Sequence, residues 1–331
     1  MNIVAIGEVV VDWLSLKPGE SILTASEFHR GLGGNSTNVA IGLSRLGTPV
    51  KLVGKVGADF HGEYLKQALQ AEGIALDNIL ADEGFPTAQC YMTTTSEGEH
   101  HFRNWPRPNA ADMLTQEQLP AALLQSADVL HTTGISMMID PRRGSILNAV
   151  ELAGQGGAII SFDAGFPTGA DQEARRQVEI ILSRAHLLKT NENELRFWSG
   201  DDGGGDIESM ARRVFSRYQP TALLVTLAEA GSIVITASDS IHCKPFPVEA
   251  LSGVGAGDAY IAGVIHWISC LLENAPRPWA KALAEIGVEQ WRQAGLAGNI
   301  CGAFATLEHN AYAGMPGKQQ LLDAMSRLSS T

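Results

Sequence analysis

The sequence predicts an α/β fold: a mostly parallel sheet with crossover helices on both faces, joined by a small second sheet. Two observations carry this. Short β-rich runs alternate with longer helical patterns through most of the chain, as strand–helix–strand units require. Two stretches, 9–30 and 87–105, break the alternation and read as extended segments with no helix between their strands. With 331 residues, 45% of them hydrophobic, the chain can bury a large core, and one domain over 1–331 with a small appendage is expected.

Core strands are predicted over 3–7, 50–56, 129–131, 158–162, 186–189, 222–226 and 232–235. After the first extended segment, Gly31-Leu32-Gly33-Gly34-Asn35-Ser36-Thr37-Asn38 leads into an apolar helical run closed near Leu46-Gly47. A second helix starts at Asp59 as N-cap, carries Phe60, Tyr64, Leu65 and Leu69 at helical spacing through Ala71, and is closed by Gly73. The second extended segment is a hairpin, with 90–95 and 100–103 flanking a turn at 96–99. The glycine- and aspartate-rich patch 200–206 lies between two helical patterns and reads as a solvated loop.

Composition narrows the function. Lys and Arg total 24 against 36 Asp and Glu, a formal net charge of −12, which disfavours nucleic acid and anionic membranes as partners. The longest apolar stretch, 259–272, contains His266 and is too short to span a bilayer. Cys90, Cys243, Cys270 and Cys301 form no Cys-x-x-Cys pair, so reduced, mostly buried thiols are expected. The chain opens directly on a strand-like run without a basic, apolar and cleavable leader pattern, and a cytoplasmic location is the expectation.

The strongest chemical feature is Gly253-Val254-Gly255-Ala256-Gly257-Asp258, followed at once by an apolar helical run. Small residues opening a helix gather free amides and the positive end of its dipole, which suits an anion. Asp258 would sit in the first turn, where a carboxylate can take a proton from an alcohol while the amides stabilise a transferred phosphoryl group. The same residues also fit a glycine-capped turn with an acid favoured by the dipole. In the earlier cluster, Ser36 occupies the third glycine position of a dinucleotide fingerprint, and no Gly-x-x-x-x-Gly-Lys-Ser/Thr is present. That cluster leaves a backbone open to a small polar ligand, with Asn35 and Asn38 as hydrogen-bonding groups, or a plain helix cap.

In combination these segments resemble the PfkB, or ribokinase-type, carbohydrate kinases. Gly33-Gly34 with Asn38-Val39-Ala40 and Leu46-Gly47, then Gly54, Gly57, Asp59 and Gly62, is similar to the first signature of that family, and Gly255-Ala256-Gly257-Asp258 to the second. Asn191-Glu192-Asn193-Glu194 resembles the family's Asn-x-x-Glu, and Thr226 and Gly231 fall on its nucleotide-contacting loop. The segment from Gly302-Ala303 through Ala311 to Pro316 resembles the adenine-lining stretch. The match covers essentially the whole chain in order.

The resemblance implies a ribokinase-like, three-layer α/β/α domain with a small β-sheet lid made from about 9–32 and 86–106. It implies ATP and Mg2+ as cofactors and a sugar as acceptor, with Asp258 as base and the amides of Gly255, Ala256 and Gly257 as anion hole. Asp12, Gly33, Gly34, Asn38 and Arg107 would bind the sugar. Asn191, Glu194, Thr226, Gly231, Gly257, Asn299, Gly302 and Ala303 would bind ATP, and Glu194 and Asn191 would orient the metal through water. A homodimer formed through the lid is expected. Read without the family, Asp12 is an exposed acid ending a strand and Arg107 a solvated arginine.

The segment from Arg107 to Leu114 looks most like fructokinases, 2-keto-3-deoxygluconate kinases and 5-dehydro-2-deoxygluconate kinases. Departures are equally visible. Pro106 replaces a family tyrosine, Asp163-Ala164-Gly165-Phe166-Pro167 replaces Asp-x-Asn-x-Arg, and Ala228 and Asn310 replace loop glycines. Ser252-Gly253 stands where many relatives build a monovalent-cation (K+) site. A second class, a sugar- or nucleotide-binding homologue without turnover, stays open on these losses. Retention of Asp258, Asn191 and Glu194 favours the enzyme.

Overall fold

A computed structural model describes residues 1–95, 100–165, 172–200 and 205–329. The hairpin turn 96–99, positions 166–167 and the patch residues 201–204 lie outside the described residues. In chain order the elements are β1 (Ile3–Ile6), β2 (Val10–Ser15), β3 (Phe28–Gly33), α1 (Asn35–Arg45), β4 (Val50–Gly57), α2 (Phe60–Ala71), β5 (Ile79–Asp82), β6 (Gln89–Thr94) and β7 (His100–Trp105). There follow α3 (Ala121–Gln125), β8 (Val129–Thr133), α4 (Arg142–Gln155), β9 (Ile159–Asp163), α5 (Gln172–Leu182), β10 (Leu187–Asn191), α6 (Glu192–Ser199) and α7 (Ile207–Tyr218). The chain ends with β11 (Ala222–Thr226), β12 (Ser232–Ile235), β13 (Ser240–Cys243), α8 (Ala256–Leu271), α9 (Trp279–Ala284), α10 (Val288–Ala305) and α11 (Lys318–Ser329).

Nine strands form the central sheet in the order β13-β12-β11-β10-β9-β8-β1-β4-β5, parallel except where β12 and β13 turn back. Alternation along each strand feeds two cores. Val4 and Ile6, with Ile160, Leu188 and Leu223, face α4, α5 and α7, while Ile3, Ile159, Leu187 and Leu224 face α1, α8 and α10. This two-sided covering gives three layers. Four strands, in the order β3-β2-β6-β7, make a separate sheet, so both helix-free segments pair with one another. Asp59 caps α2 as expected, its carboxylate accepting from the Gly62 amide at 2.8 Å. All four cysteines are free thiols; Cys243 and Cys301 are buried, Cys90 half-buried and Cys270 exposed. No helix among the described residues is long and apolar enough to cross a membrane.

The chain lays down β1, β4 and β5 in one direction and then returns to place β8 on the other side of β1. In open α/β sheets the crevice beyond the carboxyl ends of the strands at such a reversal is where ligands bind. Here β1 leads to Glu8, β9 ends at Asp163, β10 at Asn191 and β11 at Thr226, and α8 begins above them.

Candidate active site

The start of α8 sets the site. Gly255 is its N-cap with φ of +78°, a conformation an L-residue adopts only with strain, and its α-carbon packs against the Ala311 backbone. The Ala256 amide turns back to the Gly253 carbonyl at 3.3 Å, while the amides of Gly257 and Asp258 have no acceptor among the described residues. These are the orphan donors of a helix start. The Gly255 amide likewise has no acceptor among the described residues, so two of the three amides expected from sequence are open, with Asp258 beside them.

Asp258 is only 5% exposed. Its two oxygens accept from Asn38 Nδ2 at 2.8 Å and Asn35 Nδ2 at 3.2 Å. Burial, outweighing these donors, pushes the carboxyl up to about 7. The two asparagines stand one helical turn apart at the beginning of α1, which a non-helical Gly34 (φ +105°) allows to start hard against the Glu8 carbonyl. Ser36 and Thr37 fasten this end by donating to the Ile6 and Glu8 carbonyls at 2.9 and 2.8 Å. Glu8 is itself buried and accepts from the Asn35 amide (3.3 Å) and the Ser136 hydroxyl (2.7 Å).

Beside Asp258 lies a buried cation that sequence reading passed over. Lys189, 4% exposed, ends with Nζ 3.0 Å from Asp163 Oδ2 and 3.9 Å from Glu194 Oε2. Burial opposes its charge, but Asp163 and Glu194 outweigh that and hold the ammonium above the ordinary lysine range. A β-carbon on Gly257 would lie 2.8 Å from this Nζ, so the ammonium sits directly against the glycine-rich turn. Asn191 caps α6 in a reciprocal box: its Oδ1 accepts from the Glu194 amide at 2.9 Å, and Glu194 accepts from the Asn191 amide at 2.7 Å. Burial raises the Glu194 carboxyl despite the lysine.

Asp12 lies on β2 with its carboxylate over the Gly33 α-carbon, where no β-carbon would fit. Burial and then the Glu8 charge push it up to about 7. Its register partner on β6 is Cys90. Burial first, and the Asp12 charge second, push the Cys90 thiol up to about 12, and the same thiol feels the charge of exposed Arg107. Asp12 is thus set against Gly33, and Asn38 against Asp258, while Glu8 reaches Gly34 and the Asn35 amide between them.

The remaining candidates divide. Thr226 closes β11, its hydroxyl donating to the Thr190 carbonyl at 3.4 Å. Gly231 is shut in by backbone at Cys243 and Lys244, and Ala228 in the same turn takes φ of +48°, the conformation of the glycine it replaces. Gly302 lets α10 approach the Ala256 carbonyl, and Ala303 follows it on the same helix. Asn299 lies on α10 beside β13. Both of its bonds run from Nδ2 to the Cys243 and Lys244 carbonyls, at 3.0 and 2.8 Å, because α10 packs on β13 there. Both amide protons are thus held by the loop after β13, which leaves Oδ1 as the group it can offer a ligand.

A parallel sheet with its crevice at a strand reversal, and a buried carboxylate beside free amides and an ammonium, define a small-molecule phosphotransferase. Residues 1–318 match the family model described as pfkB family carbohydrate kinase. The chain belongs to that family. It is 30% identical over 325 residues to probable fructokinase-4 of Arabidopsis thaliana, covering 96% of this chain and 95% of that one. It is 30% identical to fructokinase-1 of Zea mays over 330 residues and 98% of both chains. Among solved structures, fructokinase of Vibrio cholerae O395 in a form with fructose, ADP and calcium superposes with a TM-score of 0.82 at 23% identity over 98% of both chains. Fructokinase of Xylella fastidiosa with bound ATP reaches 0.84 at 23% identity over 99% of both.

Proposed function

We propose that the chain transfers the γ-phosphoryl group of ATP to a hydroxyl of fructose or a closely related sugar, with Asp258 as the general base. One observation carries the reading: a buried carboxylate, aimed by Asn35 and Asn38, stands at a helix start with open Gly257 and Asp258 amides and with the Lys189 ammonium against it. The acceptor hydroxyl gives its proton to Asp258 while the amides and ammonium meet the charge on the moving phosphoryl group. Asp12, Gly33, Gly34, Asn38 and Arg107 form the acceptor side, under the four-stranded sheet as a lid. Asn191, Glu194, Thr226, Gly231, Asn299, Gly302 and Ala303 form the nucleotide side.

No group of three His, Cys, Asp or Glu among the described residues encloses a metal. Glu194, committed to the cap of α6, together with Asn191 suits Mg2+, an ion that keeps several waters and is held mainly by phosphates. When bound, it neutralises phosphate charge. Ser252, at the position of the relatives' monovalent-cation site, does not favour K+: it brings no charge, and its Oγ accepts from the Val254 amide at 3.3 Å. Free thiols suit a cytoplasmic enzyme.

A coupled ADP-release screen over fructose, ribose, 2-keto-3-deoxygluconate, 5-dehydro-2-deoxygluconate and nucleosides tests the reading, and fructose is expected to give the highest kcat/KM. ATP binding with no turnover on any acceptor would overturn it in favour of a binding protein. Because Asp258 acts only when ionised, kcat/KM for the acceptor should fall as pH drops through about 7 and level off above it. An acid limb centred near pH 4 would contradict the buried base.

Pairing of two lids is proposed for the assembly. The lid leaves edge strands β3 and β7 and exposes Phe102 (56%) and Trp105 (66%), surface that a second copy would cover. Light scattering is expected to give twice the chain mass at micromolar concentration, and Trp105→Glu to reduce it to one.

A further inference from the structure

We propose that Asn310 is a specificity-determining residue, donating its side-chain amide to a hydroxyl of the acceptor sugar from the nucleotide side of the cleft. This deepens the kinase reading and rests on it. The geometry comes from β3. Gly31 pairs with Asp12 and Gly33 lies two residues further on the same face, because side chains alternate along a strand. A β-carbon on Gly33 would run into the Asp12 carboxylate, and one on Gly31 would run into Asn310 Nδ2. The carboxylate and the amide therefore stand over one face of the lid strand, two residues and about 6–7 Å apart. That separation brackets one sugar ring, with an acceptor of hydrogen bonds at one end and a donor at the other.

The amide is held for the purpose. Asn310 Oδ1 accepts from the Tyr312 amide at 3.2 Å, and the Asn310 carbonyl accepts from Ala313 at 3.2 Å, so the side chain is fixed from its own loop. Nδ2 has no acceptor among the described residues, and it is not sealed from solvent. The neighbouring Ala311 backbone packs on Gly255, which ties Asn310 to the helix start that carries Asp258. Glycine at 310 would leave this end of the acceptor site bare. Pro106 and Gly165 also stand where the family pattern has a tyrosine and an asparagine, so the Asn310 amide adds a donor to a site that has lost two polar side chains.

The test compares wild type with Asn310→Ala and Asn310→Asp, using fructose as the probe, by coupled ADP release and by calorimetric titration of fructose. Asn310→Ala removes the donor without adding charge, and Asn310→Asp retains the oxygen that holds Tyr312 while turning the donor into a charged acceptor. Each variant is expected to raise KM and the dissociation constant for fructose by about fivefold to tenfold, as loss of one hydrogen bond to a polar ligand does, while KM for ATP stays within about twofold. Values for fructose within twofold of wild type in both variants would overturn the proposal. An equal rise in KM for ATP would overturn it too, by showing that the loop and not the amide was lost. If wild type binds fructose without phosphorylating it, the kinase reading fails, and the titrations alone decide Asn310. If wild type neither binds nor phosphorylates fructose, both fail.

Discussion

Replacing Asp258 with Asn is expected to lower kcat by about 10³–10⁴-fold while leaving the protein folded and able to bind ATP. The substitution keeps the shape of the side chain and removes its ability to accept a proton. Its new amide would face the donors of Asn35 and Asn38, a clash that normally costs stability. Asn38 Oδ1, however, is buried with no partner, so rotation of the Asn38 amide presents an acceptor where one is needed. The melting temperature should therefore stay within a few degrees of wild type, separating a chemical loss from a folding loss. The acid limb near pH 7 should disappear from whatever rate remains. Turnover close to wild type in this variant would end the assignment of Asp258 as base.

The second large effect is expected at Lys189. Lys189→Met removes the one close cation that Asp163 has among the described residues, leaving buried Asp163 next to half-buried Glu194. Breaking one side of a buried pair costs about 3–5 kcal/mol, because the remaining charge is neither solvated nor balanced. Thermal unfolding should report this directly. In the double variant Lys189→Met, Asp163→Asn the buried charge is gone, and most of the stability should return. Turnover should not return, because the ammonium against Gly257 is absent in both variants. A double variant that regained both properties would make Lys189 a structural residue only.

Much of this arrangement was legible from sequence. The seven core strands and the cap at Asp59 are written in apolar runs and cap residues, which report on local conformation. β5 and β13 were not read as strands: each is four residues long, and Asp82 and His242 interrupt their apolar content. The order of strands around β1 is a tertiary fact that no run displays. Among site residues, Asp258 announces itself through the small residues before it. Lys189 does not, since one lysine after Leu187-Leu188 reads as the end of a strand, and only the register of β9 on β10, with Asp163 opposite Lys189, supplies its partner. The orientation of Asn299, with Nδ2 turned onto the loop after β13, is likewise a matter of packing that sequence does not display. Asn310 looked like a lost glycine for the same reason.

At the far end of α1 from Asn35 and Asn38, Arg45 donates through Nη1 to the carbonyls of Tyr312 (2.8 Å), Ala313 (3.1 Å) and Met315 (3.0 Å), and through Nε to Glu72 at 2.7 Å. One helix of eleven residues thus grips the carboxylate at its first turn and the loop after α10 at its last. An α-helix resists compression, and eleven residues span about 16 Å. α1 therefore acts as a strut of fixed length: the spacing between the Asp258 carboxylate and the loop after α10 is set by a rod anchored at both ends.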